Sequence, residues 1–173
     1  MTRRTLITLS LVAFTALSLS AEAAGMTAKA GLVQATAEAQ KRQKDAVLVN
    51  VSTLQANPDG TAAKWGYMYY SAKAKNSYTV DVKDGKIVET LEVNPYIKDA
   101  VSAEFADSDK VMAEAKKNGL KIKGKAAMSL MVMGQATKSP GIAWSVVGGY
   151  EKGDVSVLVD GKTGKFSSKS VMP

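Results

Sequence analysis

The chain has 173 residues, 46% of them hydrophobic, which suffices for one domain with a real core or for two small fused halves and leaves little room for disorder. It contains no histidine and no cysteine, which excludes imidazole triads and general bases, thiolate nucleophiles, disulfides and metal sites built on those ligands. The net charge of +7 is mostly lysine, with Arg42 the sole arginine past the first four residues; lysine gives weak steering rather than bidentate reading of phosphates or bases, so nucleic acid is not an expected partner.

Residues 1–23 read as a cleavable signal peptide. Arg3 and Arg4 form a charged start, Leu6 to Leu19 an apolar run too short for a comfortable membrane span, and Ala21-Glu22-Ala23 a small-x-small cleavage site. The two arginines serve either a general or a twin-arginine export route. Losing Arg3, Arg4 and Glu22 lowers the formal charge from +7 to +6. The expectation is a mature chain without a membrane span, periplasmic or secreted.

The remainder is expected to be α+β: two related units of one helix and about four antiparallel strands each, over 24–95 and 107–173, with a connector at 96–106. From Thr27 to about Lys44 the sequence is alanine-rich, with Leu32, Ala35, Ala39 and Ala46 as a small-residue seam for packing on a sheet. Ala46–Val51 switches to a β-branched run, and Asn57-Pro58-Asp59-Gly60 supplies a turn. In 63–93, Trp65, Tyr67 and Tyr69 share one face, Tyr78, Val80 and Val82 the next, and Asp84-Gly85 turns the chain. The connector could hold a short helical piece. Asp107-Ser108-Asp109 then caps a second helix whose buried edge is Val111, Met112 and Ala115 and whose stop is Asn118-Gly119-Leu120. Strand Ala126–Met133 follows. In 142–166, Ile142, Trp144, Val146 and Tyr150 are assigned to one face, Val155, Val157 and Val159 to the next, before the turn Asp160–Gly164. Trp65 and Trp144, the two tryptophans of the chain, differ by 79 in number, and helices and strands recur in the same order, which reads as an internal duplication.

Candidate chemistry is sparse, and no cofactor or metal is expected. Asp81 with Asp84, and Asp154 with Asp160, sit at strand ends and turns where turn formation accounts for them. Met128, Met131 and Met133 could offer thioethers to a soft ion, but Met131 and Met133 share a strand face opposite Met128, so core filling is the better account. Tyr70 and Tyr150, near strand ends, are the aromatics expected on an exposed protein-contact surface. Lys116, Lys117, Lys121, Lys123 and Lys125 around Gly119 form the candidate contact for an anionic ligand.

The run from Val155 to Phe166, behind a tryptophan-bearing strand, resembles the PepSY domain: Val157, Val159, Asp160, Thr163, Gly164 and Phe166 match its strand pair and aspartate-x-x-threonine-glycine turn. Tyr78–Val88 resembles a shortened version without the threonine-glycine part. The resemblance implies a cystatin-like arrangement with helices on one face of an antiparallel sheet, and a non-catalytic exported module that restrains peptidases or binds envelope proteins. The tandem plan is also similar to that of the secreted β-lactamase inhibitory proteins, whose cysteines are absent here. The expected function is therefore that of an exported binding protein with a protein or peptide partner. The alternative is a carrier or sensor of a small or anionic ligand using the lysines around Gly119.

Overall fold

The computed structural model describes residues 25–134 and 141–173, so the expected signal peptide lies outside the described residues. Two helices and eight strands follow in the order α1 (Leu32–Arg42), β1 (Val47–Ala56), β2 (Lys64–Ser71), β3 (Asn76–Lys83), β4 (Lys86–Val93), α2 (Ser108–Lys117), β5 (Ala126–Met133), β6 (Gly141–Val147), β7 (Val155–Asp160) and β8 (Phe166–Val171). The strands form one antiparallel sheet in the order β4-β3-β2-β1-β5-β6-β7-β8. Its centre is the β1–β5 pair, in which Val51 faces Leu130, Ser52 faces Ser129 and Thr53 faces Met128.

Period-two alternation decides which side is covered. Val51, Trp65, Tyr67, Val80, Val82, Leu130, Trp144, Val146, Val157 and Val159 are all buried in one core with Ala35 and Ala39 of α1 and Val111, Met112 and Ala115 of α2. The alanines let α1 lie close over β2 and β3, while α2 lies over β6 and β7. A bulge between Leu48 and Asn50 lets β1 change phase, so Leu48 faces Tyr69 in the core while Asn50 faces Met68 on the other side.

The two indoles close the middle of that core. Their ring centroids are 6.1 Å apart at 76°, and Phe105 stacks edge-on against Trp144 at 5.9 Å. Each indole N–H donates to a main-chain carbonyl just ahead of a helix: Trp65 to Met26 O at 2.8 Å, Trp144 to Ala106 O at 2.9 Å. Gly66 and Ser145, the outer neighbours of the central Ser52–Ser129 pair, are each preceded by one of these tryptophans.

Three local expectations need correction. The first helix starts at Leu32 rather than Thr27, because the backbone ahead of it is engaged elsewhere: Ala28 N–H donates to Ser108 Oγ, Lys29 N–H to an Asp107 carboxylate oxygen, and Ala28 O accepts from the Tyr67 hydroxyl. The connector holds no helical piece; it runs irregularly, tied by Val101 N–H to Leu48 O at 2.7 Å, and buries Val101 and Phe105 in the core. Tyr150 does not continue the Trp144 face, since β6 ends at Val147 and Gly148-Gly149 redirect the chain. A Cβ at Gly148 would overlap the Lys121 carbonyl, so only glycine fits there. The second helix keeps its expected ends, with Asp107 as N-cap and Gly119 at φ +99 beyond the stop.

Candidate functional site

The side of the sheet away from the helices is the candidate site. Following the register across its middle, Glu89, Asp81, Gly66, Ser52, Ser129, Ser145, Leu158 and Ser168 stand opposite one another in turn, one from each strand. The four central positions are glycine and three serines. Their shortness makes a shallow trough across β2, β1, β5 and β6, about 14 Å long at the usual strand spacing. Asn50 holds the floor together, its amide donating to Ser129 Oγ and Leu130 O, both at 2.9 Å.

Apolar side chains border this floor. Leu54, Ile97, Met131, Val147, Tyr96 and Tyr150 line a cavity of about 320 Å³ over Asn50, Ser52, Ser129 and Ser145. Tyr96 reaches it from the connector after β4 and Tyr150 from the β6–β7 loop, at 72% and 71% exposure. Leu54 is 73% exposed. Tyrosines of this kind combine large contact area with a polar tip and few rotatable bonds, the properties enriched where proteins meet.

Of the two tyrosines singled out in the sequence, Tyr150 stands at the cavity, while Tyr70 is half-buried beneath the connector with Lys98 Nζ 5.9 Å from its ring centroid. Sequence reasoning passed over Tyr96, whose signal was an aromatic directly after Asn94-Pro95 in a connector. It also passed over the serine row, which becomes a row only once β1 is paired with β5.

The candidate lysines are all exposed, and four of the five have partners within the chain. Lys117 Nζ lies 4.0 Å from Glu114, Lys123 Nζ lies 2.7 Å from Glu151 and 3.0 Å from Asp154, Lys116 donates to Pro58 O at 3.2 Å, and Lys125 donates to the Asn57 side-chain oxygen. They fall into a pair around the Asn57-Pro58 turn, one on the β6–β7 loop and one along α2, with Lys121 between; they do not converge on one point.

The remaining candidates have structural duties. Asp160 accepts from the N–H groups of Lys162 and Thr163 and from the Thr163 hydroxyl, and the Thr163 amide in particular holds its carboxyl below the usual range. Asp154 is held low by the Glu151 N–H and then by Lys123. Asp81 pairs with Lys64 at 2.5 Å, and Asp84 occupies a turn at φ 49. Met128 pairs with Val146 and is buried among the core residues, while Met131 pairs with Ala143 in phase with the Ser129–Ser145 pair, so the two face apart. Gly161–Gly164 joins β7 to β8 as a hairpin turn. Among the described residues there is no group of three or more acids that could hold a metal ion, and no helix is long and apolar enough to cross a membrane.

No protein-family model matches the chain, and no curated protein matches it in sequence, so the PepSY resemblance rests on the residues quoted for it. In structure the chain is similar to a solved protein of Clostridium difficile 630 described as a "putative lipoprotein", with a TM-score of 0.49 and 16% identity over 76% of this chain and 86% of that one.

Proposed function

We propose that this protein is an exported, non-enzymatic binding protein that holds a protein or peptide partner on the uncovered face of its sheet. The observation that carries the reading is the trough of Gly66, Ser52, Ser129 and Ser145, bordered by the exposed Tyr96, Tyr150 and Leu54. Short floor residues let a partner's backbone come close to the sheet, and the serine hydroxyls can donate to or accept from it. The tyrosines then flank whatever is seated there, and the apolar border excludes water around it. The PepSY resemblance names the class of partner, an envelope peptidase held in check.

The same proposal reads the chain as a doubled helix-and-four-strand unit. It is supported by the recurring element order, by Val82 opposite Trp65 and Val159 opposite Trp144, and by the matching place of each indole beside the Ser52–Ser129 pair.

Site-specific photo-crosslinking tests the binding reading. Benzoylphenylalanine at position 150 should crosslink a protein from the chain's own envelope extract that the same group at Gln40, exposed on α1, does not. A peptidase so captured should lose activity when the chain is added back in excess. Equal products from both positions, or none from 150, would sink the reading.

A further inference from the structure

The two outer edges of the sheet are guarded differently. At β4 the edge carries Lys86, Glu89 and Glu92, and its register is broken between Asp81 and Val82. Mixed charges and a bulge are the usual means of keeping an edge from pairing. At β8 the shift lies near the start, between Leu158 and Val159, and Ser168–Val171 pairs regularly with β7 carrying one charge, Lys169.

The direction of the β8 backbone follows from its end. Met172 N–H donates to Asp154 O at 2.8 Å, and Met172 O accepts from Gly153 N–H at 3.0 Å. Met172 therefore turns both groups inward, and alternation along an antiparallel strand turns those of Val171 and Lys169 outward. Both residues are exposed, Val171 at 63%.

Charge borders this edge on the helix side. Lys169 faces Val157 and Val171 faces Val155, which places both side chains on the covered side of the sheet. Lys169 Nζ reaches Asn118 O at 3.4 Å, bringing the end of α2 with Lys117 alongside. Glu114, the carboxylate on this flank, is already engaged by Phe166 N–H, the Asn118 amide and Lys117.

We propose that β8 is a docking edge for an extended acidic segment of a partner protein, added as a ninth strand through the outward N–H and C=O groups of Lys169 and Val171. The side chains set the preferred sequence: a carboxylate beside Lys169 and an apolar residue beside Val171, two positions apart so that both lie on one side of the added strand. A second copy is disfavoured as the occupant, because the β8 it would add, Phe166–Val171, carries no carboxylate to meet Lys169. The proposal rests on the binding-protein reading but uses a surface separate from the trough.

The test is a titration of nitrogen-15-labelled residues 24–173 with the peptide acetyl-Thr-Val-Thr-Glu-Thr-Val-Thr-amide, followed by amide shifts and hydrogen exchange. The Lys169 and Val171 amides should shift and exchange more slowly on binding. Val171→Pro removes an outward donor that the fold does not use, so binding should vanish while thermal unfolding stays close to that of the parent. Lys169→Glu should weaken the peptide roughly two- to fivefold, and a peptide with lysine in place of glutamate should reverse that loss. Tyr150→Ala should leave peptide binding unchanged. Absence of shifts in β8, full binding by Val171→Pro, or self-association abolished by Val171→Pro would each overturn the proposal. Peptide binding lost in Tyr150→Ala and kept in Val171→Pro would overturn it while leaving the trough reading intact.

Discussion

Replacing Trp144 with phenylalanine measures how much of the fold depends on its central aromatic seam. The substitution removes an N–H that donates to Ala106 O and shrinks a fully buried side chain packed against Trp65 and Phe105. The lost hydrogen bond costs about 1 kcal/mol. The roughly 40 Å³ left by the smaller ring adds about 1 kcal/mol at the usual cavity coefficient, and weaker edge-on stacking adds about 0.5 kcal/mol. A total of about 2–3 kcal/mol corresponds to a fall in melting temperature of roughly 4–12 °C for a chain of this size. Trp65→Phe loses the equivalent bond to Met26 O and the contact with Trp144, but no contact with Phe105. Its cost should therefore be smaller by only about 0.5 kcal/mol. Urea unfolding followed by far-ultraviolet circular dichroism on both single variants and the double variant gives the coupling, expected at about 0.5–1.5 kcal/mol. A Trp144→Phe cost below about 0.5 kcal/mol, or strict additivity within about 0.3 kcal/mol, would refute the account of a shared seam.

Gly148→Ala should cost at least about 2 kcal/mol in the same assay, because the new Cβ meets the Lys121 backbone carbonyl, which no rotamer change can move aside. Stability should be nearly flat from about pH 5 to 8, since the chain has no histidine to titrate there. Below that range it should fall. Asp45, Asp59, Asp154 and Asp160 all have carboxyls held below their ordinary value, chiefly by hydrogen bonds; their contribution is present above the unfolded-state pKa near 3.8 and is lost as pH drops through the lower folded-state values. At the alkaline end, burial raises Tyr67 and pushes Tyr69 up to about 12. Their contribution is present below pH 10, and unfolding followed by phenolate absorbance should set in as pH rises from there toward 12.

What the sequence made legible is what local chemistry decides. Asp107 before Ser108, and Gly119 after Asn118, mark the second helix because a cap and a left-handed residue are needed wherever that helix ends. The alternation of Trp65, Tyr67 and Tyr69, and of Val155, Val157 and Val159, reads directly as strands with one side turned to the core. Partners distant in sequence decided the rest. The first helix is shortened by Ser108, Asp107 and Tyr67, none of which is near Ala28 in sequence. Tyr150 belongs to the other side of the sheet because a glycine pair ends β6, a change of direction that alternation alone does not record. The lysines around Gly119 form a charge cluster in sequence and disperse in space, each helix or loop taking its own partner.

The uncovered side of the sheet poses the sharpest choice between a binding face and a merely solvated one. A solvated antiparallel face favours long charged side chains, which keep water close and guard against aggregation. Here those are gathered on one wing, as Lys64, Asp81, Lys83, Lys86 and Glu89 on β2, β3 and β4. The middle strands instead present Ser52, Ser129, Ser145, Ala127 and Ala143, with Met131 and Leu54 beside them. Ser129→Lys separates the two accounts. Its side chain points away from the core and can extend into solvent, but it gives up the bond from the Asn50 amide, which keeps Leu130 O, so the free energy of unfolding should fall by about 1 kcal/mol. On a solvated face nothing else should follow. On a binding face the added ammonium stands in the floor of the trough, where a seated partner would bury it unpaired at a cost of about 2 kcal/mol or more, some thirtyfold in affinity. Crosslinking yield from position 150 should then fall by that order in the Ser129→Lys background, and an unchanged yield would show that the partner does not reach the serine row.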